Sequence, residues 1–366
     1  MKEYGPAARP VYSARLRRLF LQLRFFIPLF LCITLIAACG SPATNATNTP
    51  TPTPTPAVPT ISKALTTYKG HVGPVIGASW SPDGTRIASC GNDGTVQVWD
   101  AQSGQTLWHV HIARYTFAVA WSPDGQTVAG GASDGSIVLL NATNGQTLAT
   151  YLNQTAFIEG LAWSPDGKFL ASGSEDDTVD VWDVATSKVL LTYKGHTDAV
   201  QRVAWSPDGT RIASASYDGT VQVWDAHTGQ QRLTYKGNGA PVWEVAWSPD
   251  SKHIVSGTGS AGANGPVTAH NSVKIWDASS GQTALTYTGI NDATQTYALA
   301  WSPDGTRIAS GNDDNIVRIW DASSGRTLLE YTGHTDIIFR VAWSPDGSQL
   351  ASASVDGTVQ VWTPHV

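Results

Sequence analysis

Residues 195–225 read GHTDAVQRVAWSPDGTRIASASYDGTVQVWD. An apolar run ends at Trp205, and the next four residues, 206–209, include the Pro and Gly of a tight turn. A second apolar run follows, and 217–219 give a hairpin signal before the alternating segment 220–224. Residues 231–235 add a fourth short run. The pattern predicts four short antiparallel strands and no helix.

This unit recurs along the chain. The peptide WSPD occurs seven times, at intervals of 41 to 54 residues, and it starts at Trp80, Trp121, Trp163, Trp205, Trp247, Trp301 and Trp343. A fixed period near 42 residues means that each repeat is one supersecondary unit. Four-stranded units repeated radially leave only short protected sheet edges. We therefore expect an all-β chain that forms one seven-bladed β-propeller.

The repeats resemble the WD-repeat family of β-propellers over residues 62–366. The resemblance implies that a His, a Ser, an Asp and a Trp in each complete repeat form a hydrogen-bonded set, here called a tetrad. By position the three complete tetrads are His71, Ser89, Asp93, Trp99; His196, Ser214, Asp218, Trp224; and His334, Ser352, Asp356, Trp362. Buried His and Asp side chains are costly unless they pair, which makes complete sets physically reasonable.

Four repeats depart from the tetrad pattern. The third and fifth repeats have Gln154 and Asn238 at the His place, and the sixth lacks the His. The second has Gly130 for Ser and Leu140 for Trp, and the fifth has His270 for Asp. We expect these blades to be less rigid while keeping their strands.

The last repeat predicts how the ring closes. The sequence stops shortly after Trp362, which ends a third strand, so this blade needs a fourth strand from elsewhere. Residues 62–68, SKALTTY, match the fourth-strand segment 187–193, SKVLLTY. We therefore expect the N-terminal strand to complete the last blade.

The first 61 residues predict a targeting signal followed by a linker. Residues 1–38 have the basic stretch and short apolar run of a secretory signal peptide, and the run ends Ile-Ala-Ala-Cys at Cys39. This junction resembles the lipobox of bacterial lipoproteins, which implies lipid attachment at Cys39 and an extracytoplasmic, membrane-anchored protein. Residues 39–61 then form a Thr/Pro-rich linker. An uncleaved signal anchor, or a cytosolic protein whose start codon was placed too early, are the alternatives.

The charge of the chain and the motifs it lacks argue against several classes of function. The net charge is −6 although residues 1–38 hold six basic side chains and one acidic side chain, so the remaining chain is strongly acidic. This argues against nucleic acid as a partner. The chain shows no phosphate loop, nucleophile elbow or metal-ligand spacing, so we predict no cofactor, no metal and no enzymatic activity. Cys90 lies in a predicted strand, and we expect it to be a small buried apolar side chain.

Non-repeated side chains at repeated places mark the candidate binding face. The resemblance implies that positions four and six before each WSPD Trp, and the one before the tetrad Asp, reach the face opposite the WSPD turns. The aromatic residues at these positions are Tyr115, Phe117, Phe157, Tyr217, Trp243, Tyr297 and Phe339. Ile76 and Ile337 share these places, and the charged neighbours are Glu159, Glu175, Glu244, Asp313, Arg202 and Arg340.

An aromatic surface with a few charges is typical of protein-binding hot spots. We expect most of the aromatic side chains to be exposed, with core packing against adjacent blades as the alternative. The sequence thus favours a non-catalytic protein–protein interaction scaffold with protein partners, tethered to the outer face of a bacterial membrane. The alternative is a propeller enzyme or small-ligand binder that uses the central channel. The Gly-rich segment 257–266 opens on the same face as a lid, a contact loop or a tolerated insertion.

Overall fold

The computed structural model describes residues 57–259, 272–290 and 294–365. The predicted signal peptide, Cys39, most of the linker and His270 lie outside these residues. Within the described ranges the regular structure is entirely strand, so no helix there is long and apolar enough to cross a bilayer.

Two short strands precede the first WSPD repeat, β1 (Thr60–Ile61) and β2 (Thr66–Tyr68). Blade 1 contains β3 (Val75–Trp80), β4 (Arg86–Gly91), β5 (Thr95–Asp100) and β6 (Thr106–His111). Blade 2 contains β7 (Thr116–Trp121), β8 (Thr127–Ala132), β9 (Ser136–Asn141) and β10 (Thr147–Leu152). Blade 3 contains β11 (Ile158–Trp163), β12 (Phe169–Ser174), β13 (Val179–Asp183) and β14 (Lys188–Tyr193).

The other four blades repeat this arrangement. Blade 4 contains β15 (Val200–Trp205), β16 (Arg211–Ser216), β17 (Val221–Asp225) and β18 (Gln231–Tyr235). Blade 5 contains β19 (Val242–Trp247), β20 (His253–Thr258), β21 (Val273–Asp277) and β22 (Thr283–Tyr287). Blade 6 contains β23 (Thr296–Trp301), β24 (Arg307–Asn312), β25 (Val317–Asp321) and β26 (Thr327–Tyr331). Blade 7 contains β27 (Ile338–Trp343), β28 (Leu350–Ser354) and β29 (Val359–Trp362).

The blades form a closed ring, which confirms the predicted all-β, seven-bladed propeller. Strands in each blade pair antiparallel in chain order, and the first strand of each blade contacts the first strand of the next. The contact between β27 and β3 brings the last blade against the first. The first strands therefore surround the central channel.

The N-terminal strand completes blade 7, as the sequence predicts. Strand β2 pairs antiparallel with β29, with Thr66 opposite Val361 and Tyr68 opposite Val359. Tyr68 is 3% exposed, and its ring stacks on Trp99 of blade 1 at a centroid distance of 4.5 Å. One strand therefore closes the last sheet and also joins it to the first blade.

The structured region begins slightly earlier than the sequence indicates. Strand β1, whose residues the sequence placed at the end of the linker, pairs parallel with β26 on the outer edge of blade 6. The Glu330 amide donates to the Pro59 carbonyl at 2.9 Å, and Thr332 donates to Ile61. The pairing follows from position, because the segment that reaches blade 7 passes the free edge of blade 6.

Stacked aromatic pairs hold neighbouring blades together. The Tyr that ends a fourth strand lies on the Trp of the third strand in the following blade, as Tyr193 does on Trp224 at 4.6 Å. The same stacking joins Tyr151 to Trp182, Tyr235 to Trp276, Tyr287 to Trp320 and Tyr331 to Trp362. Five of the third-strand Trp side chains are fully buried. These contacts place much of the aromatic content between the sheets.

Candidate protein-binding face

A bulge in the first strand of every blade sets the candidate face. In blade 4, Val200 lies opposite Ser216 and Arg202 opposite Ala215, so Gln201 has no partner across the ladder. The register shifts at the same place in all seven blades. A bulge turns a side chain out of the sheet alternation. The side chains at these positions are Ile76, Phe117, Glu159, Gln201, Trp243, Tyr297 and Phe339.

The seven predicted aromatic side chains, here called the aromatic face, come together in two arcs. In the first arc, Phe117 contacts Tyr115 at 6.3 Å and stacks on Phe157 at 5.3 Å between ring centroids. In the second arc, edge-to-face contacts of 4.9 to 5.1 Å join Tyr217, Trp243, Tyr297 and Phe339. The arcs cross blade boundaries, so one surface is assembled from six blades.

The seven side chains of the aromatic face differ in how deeply they are buried. Phe117 and Tyr297 are each 5% exposed, and the other five side chains are half-buried. The expectation that most of the seven are exposed therefore needs correction, because rings from adjacent blades cover one another. Burial, followed by the nearby Asp313, raises the pKa of Tyr297, so its hydroxyl stays neutral and donates to Gln295 Oε1 at 2.9 Å.

Trp243 lies at the centre of the second arc. Its ring contacts Tyr217 at 5.0 Å on one side and Tyr297 at 4.9 Å on the other. Gly259 approaches so closely that a Cβ there would lie 2.5 Å from the Trp243 Nε1. Gly259, the third residue of the Gly-rich segment, thus lies beside Trp243, and a larger residue there would have to displace the indole ring. Most of that segment lies outside the described residues.

Charged side chains meet beside the arcs, in the channel. Glu244 Oε2 accepts hydrogen bonds from Arg340 Nη1 at 2.7 Å and from Arg202 Nε at 3.3 Å. Arg202 Nη1 also donates to the main-chain carbonyl of Glu159. We call Glu159, Arg202, Glu244 and Arg340 the channel cluster. Among the described residues, no group of three His, Cys, Asp or Glu side chains could hold a metal ion.

The three complete tetrads have the geometry that the resemblance implies. In blade 4, His196 Nδ1 lies 2.8 Å from Asp218 Oδ2, and His196 Nε2 lies 2.8 Å from Ser214 Oγ. Trp224 Nε1 donates to Ser214 Oγ at 3.2 Å. Burial acts to raise the pKa of Asp218, but hydrogen bonds from His196 and Thr220 outweigh it and lower that pKa to about 2. The tetrads of blades 1 and 7 make the same contacts.

Amides replace the tetrad His without loss of hydrogen bonding in two blades. Gln154 Oε1 accepts from Ser172 Oγ at 2.6 Å, and Asn238 Oδ1 accepts from Ser256 Oγ at 2.7 Å. In blade 6, Ser310 Oγ and Trp320 Nε1 are buried without a hydrogen-bond partner among the described residues. The residue at the His place of blade 6 lies outside the described residues.

Blade 2 replaces its tetrad with apolar contacts. A Cβ at Gly130 would lie 2.7 Å from Ile112 Cδ1, so Ile112 fills the His place. Leu140 is fully buried in the same cluster as Trp108, whose Nε1 donates to the Ala142 carbonyl at 3.1 Å. Because the His, Ser and Trp of the tetrad are all replaced in blade 2, none of these three is left buried without its hydrogen-bond partner. It also explains Trp108, which the repeat pattern leaves unassigned.

The opposite ends of the strands carry the WSPD turns. In each turn the Ser hydroxyl donates to the Asp two residues later, as Ser344 does to Asp346 at 2.6 Å. Hydrogen bonds from Ser344 and then Ser348 lower the pKa of Asp346. Gly347 has a φ of +70°, which glycine adopts without strain. The Ser and Asp side chains of the WSPD turns therefore form hydrogen bonds within their own turns.

Cys90 behaves as the sequence indicates. It is fully buried in β4, and burial raises the pKa of its thiol to about 12. A thiol that stays protonated at neutral pH is a poor nucleophile. We therefore assign Cys90 a packing role between blades 1 and 2.

Comparisons with known proteins agree with this architecture. Residues 75–234 match the family described as Echinoderm microtubule-associated protein second beta-propeller. Residues 229–277, 282–321 and 325–363 match the WD domain, G-beta repeat.

Curated relatives match over short stretches. They include a ribosome biogenesis protein erb1 of Botryotinia fuckeliana, 35% identical over 19% of this chain and 9% of its own length. Cell division cycle 20.1, cofactor of APC complex, of Arabidopsis thaliana is 37% identical over 16% of this chain and 14% of its own length. The WD repeat-containing protein slp1 of Schizosaccharomyces pombe is 51% identical over 10% of this chain and 8% of its own length. From the family matches and the observed blades, the chain is a seven-bladed β-propeller built from WD40 repeats.

Proposed function

We propose that this protein is a non-catalytic scaffold that binds a protein partner through the aromatic face. The observation that carries the proposal is the contrast between the two ends of the ring. Non-repeated aromatic rings from six blades meet at one end. Repeated Ser–Asp turns, whose polar groups bond to one another, occupy the other end. Specific recognition needs individual side chains, and aromatic residues lead hot-spot statistics.

The relatives support this class of function. One of them is named as a cofactor of a complex, and another as a ribosome biogenesis protein. Neither name describes a catalytic reaction. Because the matched stretches cover less than a fifth of each relative, we carry over only the expectation that the propeller acts by binding other macromolecules.

Trp243 is the residue that we expect to contribute most to partner binding. Affinity capture from a membrane fraction, with residues 62–366 as bait, supplies the partner for the measurement. Trp243→Ala removes the centre of the second arc, and we expect the dissociation constant to rise by about 30-fold, or about 2 kcal/mol. Calorimetry with the captured partner measures the change, and thermal unfolding checks the fold.

The matched control lies at the other end of the strands. Gln126 is exposed beside the WSPD turn of blade 2, and Gln126→Ala should leave the affinity unchanged. If Trp243→Ala unfolds the domain, the ring is part of the core. If Trp243→Ala binds normally while Gln126→Ala does not, the partner uses the WSPD end and the proposed face is wrong.

We further propose that the propeller is tethered through a lipid on Cys39, outside the cytoplasm of a bacterial cell. The support is the N-terminal sequence alone, in which a basic stretch, an apolar run and Ile-Ala-Ala-Cys precede the Thr/Pro-rich linker. Such a linker, extended by its prolines at about 3.1 Å per residue, would hold a domain roughly 70 Å from its anchor.

Replacing Cys39 tests the tether. In cells that express the full chain, wild type should partition into the detergent phase and Cys39→Ala should partition into the aqueous phase or remain an uncleaved precursor. Mass spectrometry of the N-terminal peptide should find the acyl chains on wild type only. Identical partitioning of the two proteins, with no acyl mass on either, would contradict the lipid anchor.

A further inference from the structure

The outer edge of blade 6 shows how these sheets accept an additional strand. Strand β1 pairs there with β26. The amides of Glu330 and Thr332 donate to the carbonyls of Pro59 and Ile61, both at 2.9 Å. Glu330 and Thr332 lie directly before and after Tyr331, the Tyr that ends the fourth strand. The amides on either side of this Tyr therefore face outward, since residues two apart on a strand turn their amides to the same side.

The residue directly after this Tyr is a lysine at the outer edges of three other blades. Blades 3, 4 and 7 have the exposed side chains Lys194, Lys236 and Lys69 at this position. Blades 1 and 5 have His111 and Thr288 there. A lysine on an exposed edge strand opposes pairing with another chain, because the incoming strand would have to bury its charge.

Blade 2 has a leucine at this position instead. Leu152 follows Tyr151 and is 74% exposed, and Leu148 on the same strand is 55% exposed. Residues 146–153, QTLATYLN, contain no charged side chain and no proline. Among the described residues β10 pairs only with β9, so the outer side of β10 faces solvent. The features that usually protect an edge strand are therefore missing at blade 2.

The sequence of this edge is complementary to itself. In an antiparallel pair centred on Thr150, Thr150 of one copy lies opposite Thr150 of the other, and Leu148 lies opposite Leu152. Thr150 and Leu152 occupy the places of Glu330 and Thr332, so their amides face outward and can bond to the second copy. Opposed leucines add side-chain contact across the pair. A two-fold contact requires this kind of self-complementarity, because the same patch serves both copies.

We propose that two copies of this protein pair through β10, so that their four-stranded blade 2 sheets join into one continuous sheet. Contact between two strands of six residues is smaller than a standard protein interface, so we expect a dissociation constant on the order of 100 µM. The dimer goes beyond the scaffold function, because β10 contains none of the residues of the aromatic face.

Sedimentation velocity measures the association. The chain that begins at residue 58 is used, because it contains every strand of the closed ring. Between about 5 and 500 µM, the mean mass should rise from that of a monomer toward that of a dimer. Leu152→Lys installs the residue that blades 3, 4 and 7 have, and it should weaken association at least tenfold, flagged as roughly the effect of burying an unpaired charge. Leu190→Lys is the matched control, since Leu190 is a 53% exposed leucine on the outer strand of blade 3 and should not affect association.

Cross-linking tests the register of the pair. Thr150→Cys places two thiols at the two-fold axis, where opposed Cα atoms about 5.5 Å apart suit a disulfide. Mild oxidation should therefore give a covalent dimer. Thr67→Cys, at the equivalent place beside Lys69 on β2, should remain monomeric. The native Cys90 of this chain is buried and should not cross-link.

Thermal unfolding checks that each variant keeps its fold. If Leu152→Lys does not fold, Thr150→Pro should give the same loss of association, because a proline is tolerated on an edge strand where its missing amide faces solvent. A constant monomer mass at every concentration overturns the proposal, as does association that Leu190→Lys weakens as much as Leu152→Lys. Equal cross-linking of Thr150→Cys and Thr67→Cys also overturns it. None of these results bears on Trp243 and the protein partner.

Discussion

A chain that begins at His71 should lose on the order of 5 kcal/mol of its free energy of unfolding relative to one that begins at residue 58. Strand β2 supplies the fourth strand of blade 7, and its loss exposes the edge of β29. The loss also removes the Tyr68 ring from Trp99 and the hydrogen bond from Tyr68 Oη to Gln97 Oε1 at 2.5 Å. Denaturant unfolding monitored by tryptophan fluorescence measures the difference.

A chain that begins at Ser62 is the matched control. It lacks β1 but keeps β2, so it should lose only the short parallel pairing with β26 and remain within about 1 kcal/mol of the longer chain. The shortest chain should also self-associate, because an unpaired strand edge is a template for pairing with another chain. Equal stability of the chains that begin at 58 and 71 would show that β2 does not close the ring.

The second large effect is expected at the tetrad Trp. Trp224→Ala should lower the free energy of unfolding by about 3 to 5 kcal/mol, the usual cost of truncating a buried Trp. The indole is fully buried, stacks on Tyr193 and donates to Ser214, so the substitution leaves a cavity between two blades. Urea unfolding gives the value.

Tyr193→Phe makes a useful comparison with this substitution. It keeps the stacked ring and removes only the hydroxyl group that donates to Gln222 Oε1 at 2.5 Å, so we expect a loss of about 1 kcal/mol. A Trp224→Ala variant that loses less than this would mean that the stacked pairs contribute little to the contact between blades.

Most of the fold could be predicted from the sequence, because the same four-strand pattern occurs in every repeat. The WSPD period predicts the seven blades, because each repeat carries the turns and apolar runs of one four-stranded sheet. The likeness of 62–68 to 187–193 predicts β2, since a strand that fills an equivalent place needs equivalent side chains. Strand β1 could not be predicted, because two residues that pair along a sheet edge leave no periodic signal.

The site was less predictable because it depends on contacts between blades. The sequence places Phe117 four residues and Phe157 six residues before the WSPD Trp of their blades, but only the packing of blade 2 on blade 3 shows that one ring buries the other. The bond from Arg340 to Glu244 joins residues 96 positions apart, and no repeat spacing indicates it. Ile112 also escaped notice, because an apolar residue at the His place has meaning only beside Gly130 and Leu140.

Hydrogen exchange on the complex tests most directly whether the aromatic face binds the partner. With the captured partner bound, amides of residues 115–117, 217–219 and 242–244 should exchange more slowly, because these segments carry rings from both arcs. The WSPD turns at 206–209 and 302–305 should exchange as in the free protein. Protection of the turns, with unchanged exchange at all three segments of the aromatic face, would contradict the proposed mode of binding.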